Sequence, residues 1–467
     1  MLAPGQILPL TLDKPAAGGR MIGRVDGQVV LVSGAVPGER VRARIERVGK
    51  GVAYAETISV DEPSPDRRAA FADPLCGGCL YSHIAYPRQL EIKSQVIADA
   101  FARIGRLTLP APVGVAGSPE DGYRMRARLH VRDGRVGFFR EGTHEVCDAR
   151  LTRQLLPATF DALDRLVAAL HALGVEAVRE IELAENVDAS DRVVHLDTAS
   201  TIDAQAIEQL ATTPGFSGLT SPFGGHGSPY VTDRLAVGAG PTVALRRHVS
   251  AFFQGNRHLL GPLVTHVVDQ VPADGEVMDL YAGVGLFSVS IAAARGVRVT
   301  AVEGDRLAAA DLGANATAAG GAVVAVHQSI ENFVAGAGAA TRGAAMRGGR
   351  LDTRGVRLDT RGVRLDTRGV RLDTRGVRLD TRGVRLQPDL MGTVIIDPPR
   401  TGMSREALDG VLRLRASRLV YVSCDVATLA RDARRIVDAG YIIDRVDGFD
   451  LFPNTPHVET AVVFNRS

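Results

Sequence analysis

Residues 276–292, EVMDLYAGVGLFSVSIA, carry the signals that decide the fold of the C-terminal half of the chain. The apolar run at the start predicts a strand, 282–285 a glycine-rich turn, and the residues after it a helix. A second strand, VRVTAVEGD at 297–305, ends in Glu303, twenty residues after Gly283. A carboxylate at that place can accept hydrogen bonds from both hydroxyls of a ribose. The pattern predicts a nucleotide-binding βαβ unit, which at this point fits a dehydrogenase as well.

Two later segments continue the alternation of strands and helices. TVIIDPPRTGMS, at 393–404, predicts a strand that ends in Asp397 followed by two prolines. RLVYVSCDVATLARDARRIVDAG, at 418–440, predicts a strand, then Cys424, then an amphipathic helix closed by a glycine. The alternation of strands and helices therefore predicts an α/β fold.

The first 60 or so residues predict short strands joined by glycine and proline turns, as in a small β-barrel. Alternation along VRARIERV places Arg42 and Arg44 on one face of a strand. A second ribbon, YRMRARLHV, places Arg124, Arg126 and Arg128 along one side. Such basic faces suit RNA phosphates, although a solvated strand face has the same pattern.

The composition is that of a globular protein with two or three domains, since 45% of the 467 residues are hydrophobic and 23% are charged. No signal-like start and no apolar run of about 20 residues is present, so we expect a cytoplasmic protein without a membrane partner. Four cysteines in such a chain fit a reducing compartment, where thiols act as ligands or nucleophiles rather than in disulfides.

Residues 351–385 are five identical copies of LDTRGVR. Each copy has a net charge of +1, so the copies supply +5 and the rest of the chain carries −3 of the total of +2. The pI of 8.4 is therefore weak evidence for nucleic-acid binding. The leucine and valine spacing does not form a coiled-coil seam, and a glycine in each copy opposes a helix. We expect a loosely structured insertion, and favour an inert loop expansion over an arginine-rich RNA tether.

Taken in order, these segments resemble the RNA 5-methyluridine (uracil-C5) methyltransferases, which depend on S-adenosylmethionine. The matching motifs are FFQGN (252–256), DLYAGVGLFS (279–288), VIIDPPRTGM (394–403), VYVSCDVATLARD (420–432), DLFPNTPHVETAVVF (450–464) and CGGCLYSHIAYPRQLEIK (76–93). The N-terminal barrel resembles the TRAM domain of many members. The resemblance covers nearly the whole chain apart from the repeat.

The resemblance implies a doubly wound, seven-stranded class I methyltransferase domain at 246–467, interrupted by the repeat. It also implies a TRAM-like (OB-like) barrel at 1–62 and a central α+β domain with a CGGC cysteine site at 63–245. Expected cofactor contacts are Gln254, Tyr281, Gly283, Gly285, Glu303 and Asp397. The expected substrate is a uridine in RNA, with 23S rRNA favoured over transfer RNA, and the expected state is a monomer.

The chemistry can be argued from the residues themselves. Uracil C5 is a poor nucleophile, so an enzyme first adds a thiolate to C6, and Cys424 is the candidate. Its place before a helix N-terminus predicts a lowered pKa for the thiol. After methyl transfer a base must remove the C5 proton, and Glu459 occupies the family's position for that base. The alternatives are a buried structural cysteine and an ordinary strand carboxylate.

Two departures from the family pattern concern ligands. Cys76, Cys79 and Cys147 match three ligands of the [4Fe-4S] cluster that some members hold, but Ala70 stands where the fourth cysteine would be. A cluster would then need Asp73 or another ligand, a zinc site could add His83 or His144, and absence of any metal is the third alternative. Ser329 stands where the family usually has an acidic residue near the adenine.

Two other functions compete with this interpretation. One is methylation of an amino group, because Asp-Pro-Pro also resembles amino-methyltransferase motifs; however, Arg400 follows instead of an aromatic residue, and such a reaction gives the thiol no role. The other is a noncatalytic RNA-binding or assembly protein, against which the joint presence of Cys424 and Glu459 argues.

Overall fold

The computed structural model describes residues 2–132, 134–336 and 392–467. The LDTRGVR repeat lies outside these ranges, so the expectations about its conformation stay predictions. The described chain contains a closed barrel, a seven-stranded sheet, a two-stranded hairpin and an eight-stranded sheet.

Five strands close the N-terminal barrel in the order β1-β2-β3-β5-β4. They are β1 (Ile7–Pro15), β2 (Met21–Val25), β3 (Gln28–Ser33), β4 (Arg40–Val48) and β5 (Val52–Glu62). In β4 the apolar side chains of Val41, Ala43 and Ile45 are buried while those of Arg42 and Arg44 are exposed. The predicted barrel and its outward arginines are confirmed.

The central part of the chain contributes a helix, a short strand and a mostly antiparallel sheet. Helix α1 (Tyr86–Ala100) and strand β6 (Gly114–Ala116) come first. The seven-stranded sheet has the order β13-β12-β11-β10-β7-β8-β9 and is formed by β7 (Arg126–Arg132), β8 (Arg135–Phe139), β9 (Val146–Asp148), β10 (Val178–Glu185), β11 (Arg192–Thr198), β12 (Gly218–Ser221) and β13 (Gly224–Gly227). The central part also contains two helices, α2 (Pro157–Ala172) and α3 (Ala204–Ala211). A separate hairpin is formed by β14 (Tyr230–Ala236) and β15 (Thr242–His248).

The eight-stranded sheet has the order β18-β17-β16-β19-β20-β22-β21-β6. Its remaining strands are β16 (Glu276–Leu280), β17 (Val299–Glu303), β18 (Val323–His327), β19 (Gly392–Ile396), β20 (Arg418–Ser423), β21 (Tyr441–Phe449) and β22 (Glu459–Arg466). The helices are α4 (Leu260–Asp269), α5 (Leu286–Arg295), α6 (Arg306–Ala318), α7 (Arg405–Leu414) and α8 (Val426–Asp438). Strand β22 is antiparallel to both of its neighbours, and the other pairs are parallel.

The doubly wound fold is confirmed, and in the described part residues 246–467 contribute the predicted seven strands, β16 to β22. The complete sheet has an eighth strand. The additional strand, β6, comes from the central region and pairs in parallel with β21. It is three residues long, which is too short to leave a periodic signal in the sequence. The predicted domain boundaries after residues 62 and 245 stay a prediction.

The barrel, helix α1 and the large sheet share one apolar core. Val30 and Val32 of the barrel, Ile92 of α1 and Leu419 and Phe464 of the sheet belong to a single cluster of buried side chains. These parts therefore pack against one another rather than being connected only by linkers. In the described residues, no helix is both long and apolar enough to cross a bilayer.

We predict that the repeat is dispensable. In the sequence it lies between β18 and β19. Each doubling of the length of such a connection costs only about 0.6 kcal/mol of loop-closure free energy. A chain without residues 351–385 should match the parent in circular dichroism, midpoint of thermal unfolding and methyl transfer to RNA. Weaker RNA binding with a shallower salt dependence would instead favour the arginine tether.

Candidate active site

Residues at the ends of five neighbouring strands meet at one edge of the large sheet. Tyr281 follows β16, Glu303 ends β17, Asp397 follows β19 and Cys424 follows β20. Because these strands are parallel, their carboxyl ends lie at the same edge, where ligands of such sheets bind. Glu459 joins them because it is the first residue of the antiparallel β22.

The register of β20 and β22 places Glu459 beside Cys424. Ser423 is paired with Thr460, so the next residue of one strand lies across from the preceding residue of the other. The Cys424 thiol is partly exposed, whereas Glu459 is buried. Burial raises the pKa of Glu459 well above its ordinary value, the nearby Asp397 raises it further, and Arg400 opposes both effects.

The thiol differs from its prediction in one respect. Burial raises the pKa of Cys424 to about 11, the Glu459 carboxyl adds to the increase, and Arg400 acts in the opposite direction. The sequence predicted a lowered pKa from the helix N-terminus. In the structure, Asp425 caps α8 by accepting hydrogen bonds from the amides of Ala427 (3.1 Å) and Thr428 (2.8 Å). A carboxylate, rather than the thiol, therefore uses the helix's free N–H groups.

The glycine-rich turn after β16 is shaped by the carboxylate of Glu303. The amide of Gly283 donates to Glu303 Oε2 at 2.8 Å, and the amide of Asp305 donates to Oε1 at 2.6 Å. Tyr281 has a φ of 62°, in the left-handed region that non-glycine residues rarely adopt. A Cβ atom on Gly283 would meet nothing within 4 Å, whereas one on Gly285 would lie 2.9 Å from the Leu312 side chain. The turn thus leaves open space beside Gly283.

Two carboxyl groups lie close enough to Glu303 to feel its charge: Asp279, which is buried, and Asp397, which is half-buried. Burial raises the pKa of both Asp279 and Asp397 to about 7, with further increases from Glu303 and, for Asp397, from Asp279. Gln254 Nε2 donates to Asp397 Oδ2 at 3.5 Å, and Ser288 donates to Asp279 Oδ2. The second oxygen of Asp279 is buried and has no hydrogen-bond partner in the described part of the chain. Such a cluster suits a cationic ligand that donates hydrogen bonds.

Asp279 was not among the predicted cofactor contacts. It lies in the quoted motif DLYAGVGLFS, in a strand whose neighbouring residues Val277, Met278 and Leu280 are all buried. An aspartate in a run of buried apolar residues costs stability unless it has a partner or a function. A charged residue within an apolar strand was therefore the sequence signal that could have identified Asp279 as a candidate contact.

The loop that leads to Glu459 is fixed by buried polar groups of helix α1. Lys93 Nζ donates to Asp450 Oδ1 and to the carbonyl of Phe452, the latter at 3.2 Å. One turn earlier, Gln89 exchanges two hydrogen bonds of 2.9 Å with Asn454. The Lys93 and Asp450 side chains are 1% and 0% exposed, so this ion pair is fully desolvated.

The predicted metal ligands do not form a metal site. Cys76 and Cys147 are joined in a disulfide with a Cα–Cα distance of 6.0 Å, which corrects the expectation that the cysteines would avoid disulfides. Cys79 is free and buried, and burial, with Asp73 as a second cause, raises the pKa of its thiol to about 12. In the described residues no three ligand side chains are grouped to hold a metal.

The alternative ligands have other partners. Arg140 Nε donates to Asp73 Oδ2 at 2.5 Å, and His83 Nε2 lies 3.1 Å from the carbonyl of Ala35. His144 packs its ring edge-on against Phe139, with the centroids 5.3 Å apart. The residues present therefore do not fit the [4Fe-4S] cluster, and no chemistry is assigned to one.

The second basic ribbon has the predicted alternation but is partly neutralised. In β7 and the two residues before it, Arg124, Arg126 and Arg128 alternate with buried side chains and so lie on the opposite face. Arg128 forms an ion pair of 2.5 Å with Glu182, and Arg124 Nη1 donates to Gln154 at 2.6 Å. In the barrel, Arg44 lies 3.4 Å from Glu56. An RNA-binding role for these arginines stays a prediction.

The buried ion pair gives a prediction for stability. Replacing Lys93 with Met should lower the free energy of unfolding by about 3–5 kcal/mol, because Asp450 would be left buried without its partner. Lys14→Met is the matched control, since the Lys14–Asp99 pair is one-third exposed or more and should contribute at most about 1 kcal/mol. Urea unfolding of both variants measures the difference, and equal losses would contradict this assignment.

The raised pKa of Cys424 gives a prediction for its reactivity. Since the thiolate reacts, alkylation of Cys424 by iodoacetamide should accelerate about tenfold for each pH unit between about pH 7 and 10. Arg400→Met should raise the pKa further and slow alkylation at pH 8, whereas Arg405→Met, on exposed α7, should not. Peptide mass mapping separates Cys424 from the buried Cys79; a plateau near neutral pH would show that the thiol is already ionised.

Comparisons with known proteins agree with this geometry. Residues 359–467 match the model of the tRNA (Uracil-5-)-methyltransferase family, and residues 2–58 match the TRAM domain. The chain is 28% identical to an uncharacterized RNA methyltransferase of Thermosynechococcus vestitus, with 99% of each chain covered. It is 27% identical to a 23S rRNA (uracil(1939)-C(5))-methyltransferase of Pseudomonas putida, covering 97% of this chain and 93% of that one.

A solved structure shares the fold. The tRNA (uracil-54, C5)-methyltransferase of Pyrococcus abyssi, in complex with S-adenosyl-L-homocysteine, superposes with a TM-score of 0.68 at 21% identity. The match covers 97% of this chain and 99% of that one. The family models, the relatives and the shared fold agree with the predicted resemblance to the S-adenosylmethionine-dependent RNA uracil-C5 methyltransferases.

Proposed function

The chain is related to the RNA uracil-C5 methyltransferases, and we propose that it methylates C5 of a uridine in 23S rRNA through a covalent bond between Cys424 and C6. The observation that supports this proposal is that Cys424 and Glu459 adjoin the paired residues Ser423 and Thr460, close enough for the Glu459 charge to raise the pKa of the thiol. A nucleophile and a base side by side are what addition and later elimination at one pyrimidine ring require.

Cys424 begins the reaction by adding to C6 of the uracil. Electron density moves through the ring to C5, which becomes nucleophilic enough to accept a methyl group. Arg400 assists because its positive charge lowers the pKa of the thiol against the effects of burial and Glu459. When bound, S-adenosylmethionine supplies the methyl group from a positively charged sulfonium.

Glu459 completes the reaction by removing the proton from C5, after which the thiolate leaves C6 and the double bond is restored. This step needs Glu459 as a carboxylate, although burial and Asp397 raise its pKa in the ligand-free protein. A cation beside Asp397 that kept its charge after methyl transfer, such as an ammonium group, would offset the negative charge there and lower the pKa of Glu459. The sulfonium would not have this effect, because its sulfur becomes neutral when the methyl group leaves.

The residues around the glycine-rich turn would hold the cofactor. Glu303 is placed to accept from the ribose hydroxyls, and the unpaired oxygen of Asp279 can accept from a cationic amino group. Gly283 leaves the turn open for close approach, and Gln254 and Asp397 border the same space. Tyr281 and Gly285 shape the turn that these contacts depend on.

The proposed RNA is ribosomal because the Pseudomonas putida relative, similar over nearly its full length, bears that name. Transfer RNA is the alternative, which the family model and the archaeal structure name. A cytoplasmic location follows for an enzyme that acts on either RNA. Methylation of unmodified 23S rRNA transcripts and tRNA transcripts, compared in one assay, decides between them.

The separate roles proposed for Cys424, as nucleophile, and Glu459, as base, give a prediction that tests the mechanism. Cys424→Ala should form neither methylated RNA nor a covalent complex, because C5 is never activated. Glu459→Gln should still add to C6 and accept the methyl group but should fail to eliminate the thiol. Denaturing gels of Glu459→Gln with RNA and S-adenosylmethionine should then show a slowly migrating adduct.

The adduct should disappear in the double variant with Cys424→Ala. Cys79→Ala serves as the control for a thiol outside the site and should leave turnover unchanged if the protein folds. Turnover of Glu459→Gln at the parent rate would exclude Glu459 as the base. Methylation of RNA by Cys424→Ala would refute the covalent mechanism.

A further inference from the structure

A surface cavity lies beside Phe71, apart from the cofactor site. It has a volume of about 360 Å³ and is lined by Arg68, Phe71, Pro119, Glu120, Asp121 and Arg153. This volume is within the range of about 300–1,000 Å³ that small-ligand sites occupy. The chemistry proposed above leaves these residues without a role.

The cavity offers flat groups on which a planar ring can stack. The Phe71 ring is half-buried and has two guanidinium groups near it, with its centroid 4.7 Å from Arg153 Cζ and 5.9 Å from Arg68 Cζ. Aromatic rings and arginine planes are the surfaces on which unstacked RNA bases are held.

The charges of the cavity favour a base over a phosphate. Glu120 accepts two hydrogen bonds from Arg68, one of them at 3.1 Å, so this guanidinium is fixed in orientation. Arg153 Nη1 lies 3.9 Å from Asp121 Oδ2, too far for a hydrogen bond, so the Asp121 oxygens keep their capacity to accept from a ligand. The two arginines and two carboxylates of the cavity cancel in charge. The cavity therefore lacks the excess positive charge that would attract a phosphate.

We propose that this cavity binds a guanine of the substrate RNA. Guanine presents two adjacent N–H donors, N1–H and N2–H, which one carboxylate such as Asp121 can accept. Its O6 and N7 atoms are acceptors that suit an arginine such as Arg153. Each of the other bases presents at most one of these two adjacent donors on that edge. The inference rests on the proposed RNA substrate, whose target uridine would lie nearby.

The cavity is connected to the active site through Arg68. Besides its bonds to Glu120, Arg68 Nη2 donates to Asn454 Oδ1 at 2.8 Å. Asn454 lies in the loop that leads to Glu459 and is itself held by Gln89. A base in the cavity would therefore place its neighbouring nucleotides at the mouth of the site that contains Cys424.

The test uses the absence of tryptophan from the sequence. Phe71→Trp in the full chain places the only indole in the cavity, where a stacked base quenches its fluorescence. With the cofactor site saturated by S-adenosyl-L-homocysteine, guanosine 5′-monophosphate should quench saturably and more tightly than the adenosine, cytidine or uridine monophosphates. Adding Asp121→Asn should weaken guanosine monophosphate binding by about tenfold, a change of about 1.4 kcal/mol.

Asp164→Asn, an exposed aspartate on α2, is the matched control and should leave the affinity unchanged. If the tryptophan variant does not fold, equilibrium dialysis of the labelled nucleotides against the native chain and Asp121→Asn gives the same comparison. Equal quenching by all four nucleotides, quenching by inorganic phosphate alone, or no saturable binding would each overturn the proposal.

Methyl transfer to RNA is measured separately on the native chain and on Phe71→Ala, with Phe223→Ala as the control for an exposed ring elsewhere. Guanosine monophosphate binding without methyl transfer would refute the proposed function and leave the cavity assignment intact. Methyl transfer that is unchanged in Phe71→Ala, together with no nucleotide binding, would refute the cavity assignment alone.

Discussion

The antiparallel pairing of β22 with β20 is the constraint on which the active site depends. It sets Glu459 beside Cys424 through the backbone register, so the two groups need no flexible loop to meet. A slip by one residue would turn Glu459 to the opposite face of the sheet. The register is held by the fully buried run from Ala461 to Phe464, which packs on both faces. The apolar core therefore determines the geometry of the chemistry.

Burial at this edge also sets its electrostatics. Asp279 and Glu459 are buried and Asp397 is half-buried. The charge of Asp279 raises the pKa of Asp397, and the charge of Asp397 raises the pKa of Glu459. Carboxyl groups so close together cannot all ionise unless a cation joins them. Arg400 is the cation that acts on both Glu459 and Cys424. Further positive charge at this edge would lower the pKa of these carboxyl groups.

The features predictable from the sequence are those that depend on local order. Strand ends in a parallel sheet share one edge, so Glu303, Asp397 and Cys424 could be placed together from their motifs alone. Alternation along β4 fixed the outward position of Arg42 and Arg44 in the same way.

The features that escaped prediction depend on contacts between distant parts of the chain. The pairing of Lys93 with Asp450 joins residues 357 positions apart, and the neutralisation of Arg128 by Glu182 depends on strand neighbours. The thiol's raised pKa reflects how deeply tertiary packing buries Cys424, which no local pattern reports. The bond between Cys76 and Cys147 likewise depends on how the central sheet brings two loops together.

The loop before Glu459 explains why the N-terminal half of the chain is packed so closely against the methyltransferase sheet. Helix α1 holds the loop through Gln89 and Lys93, and Arg68 reaches it from the central region. The barrel touches it too, since a Cβ on Gly19 would lie 3.0 Å from Pro456. Elements expected to contact RNA thus bear directly on the segment that positions the base.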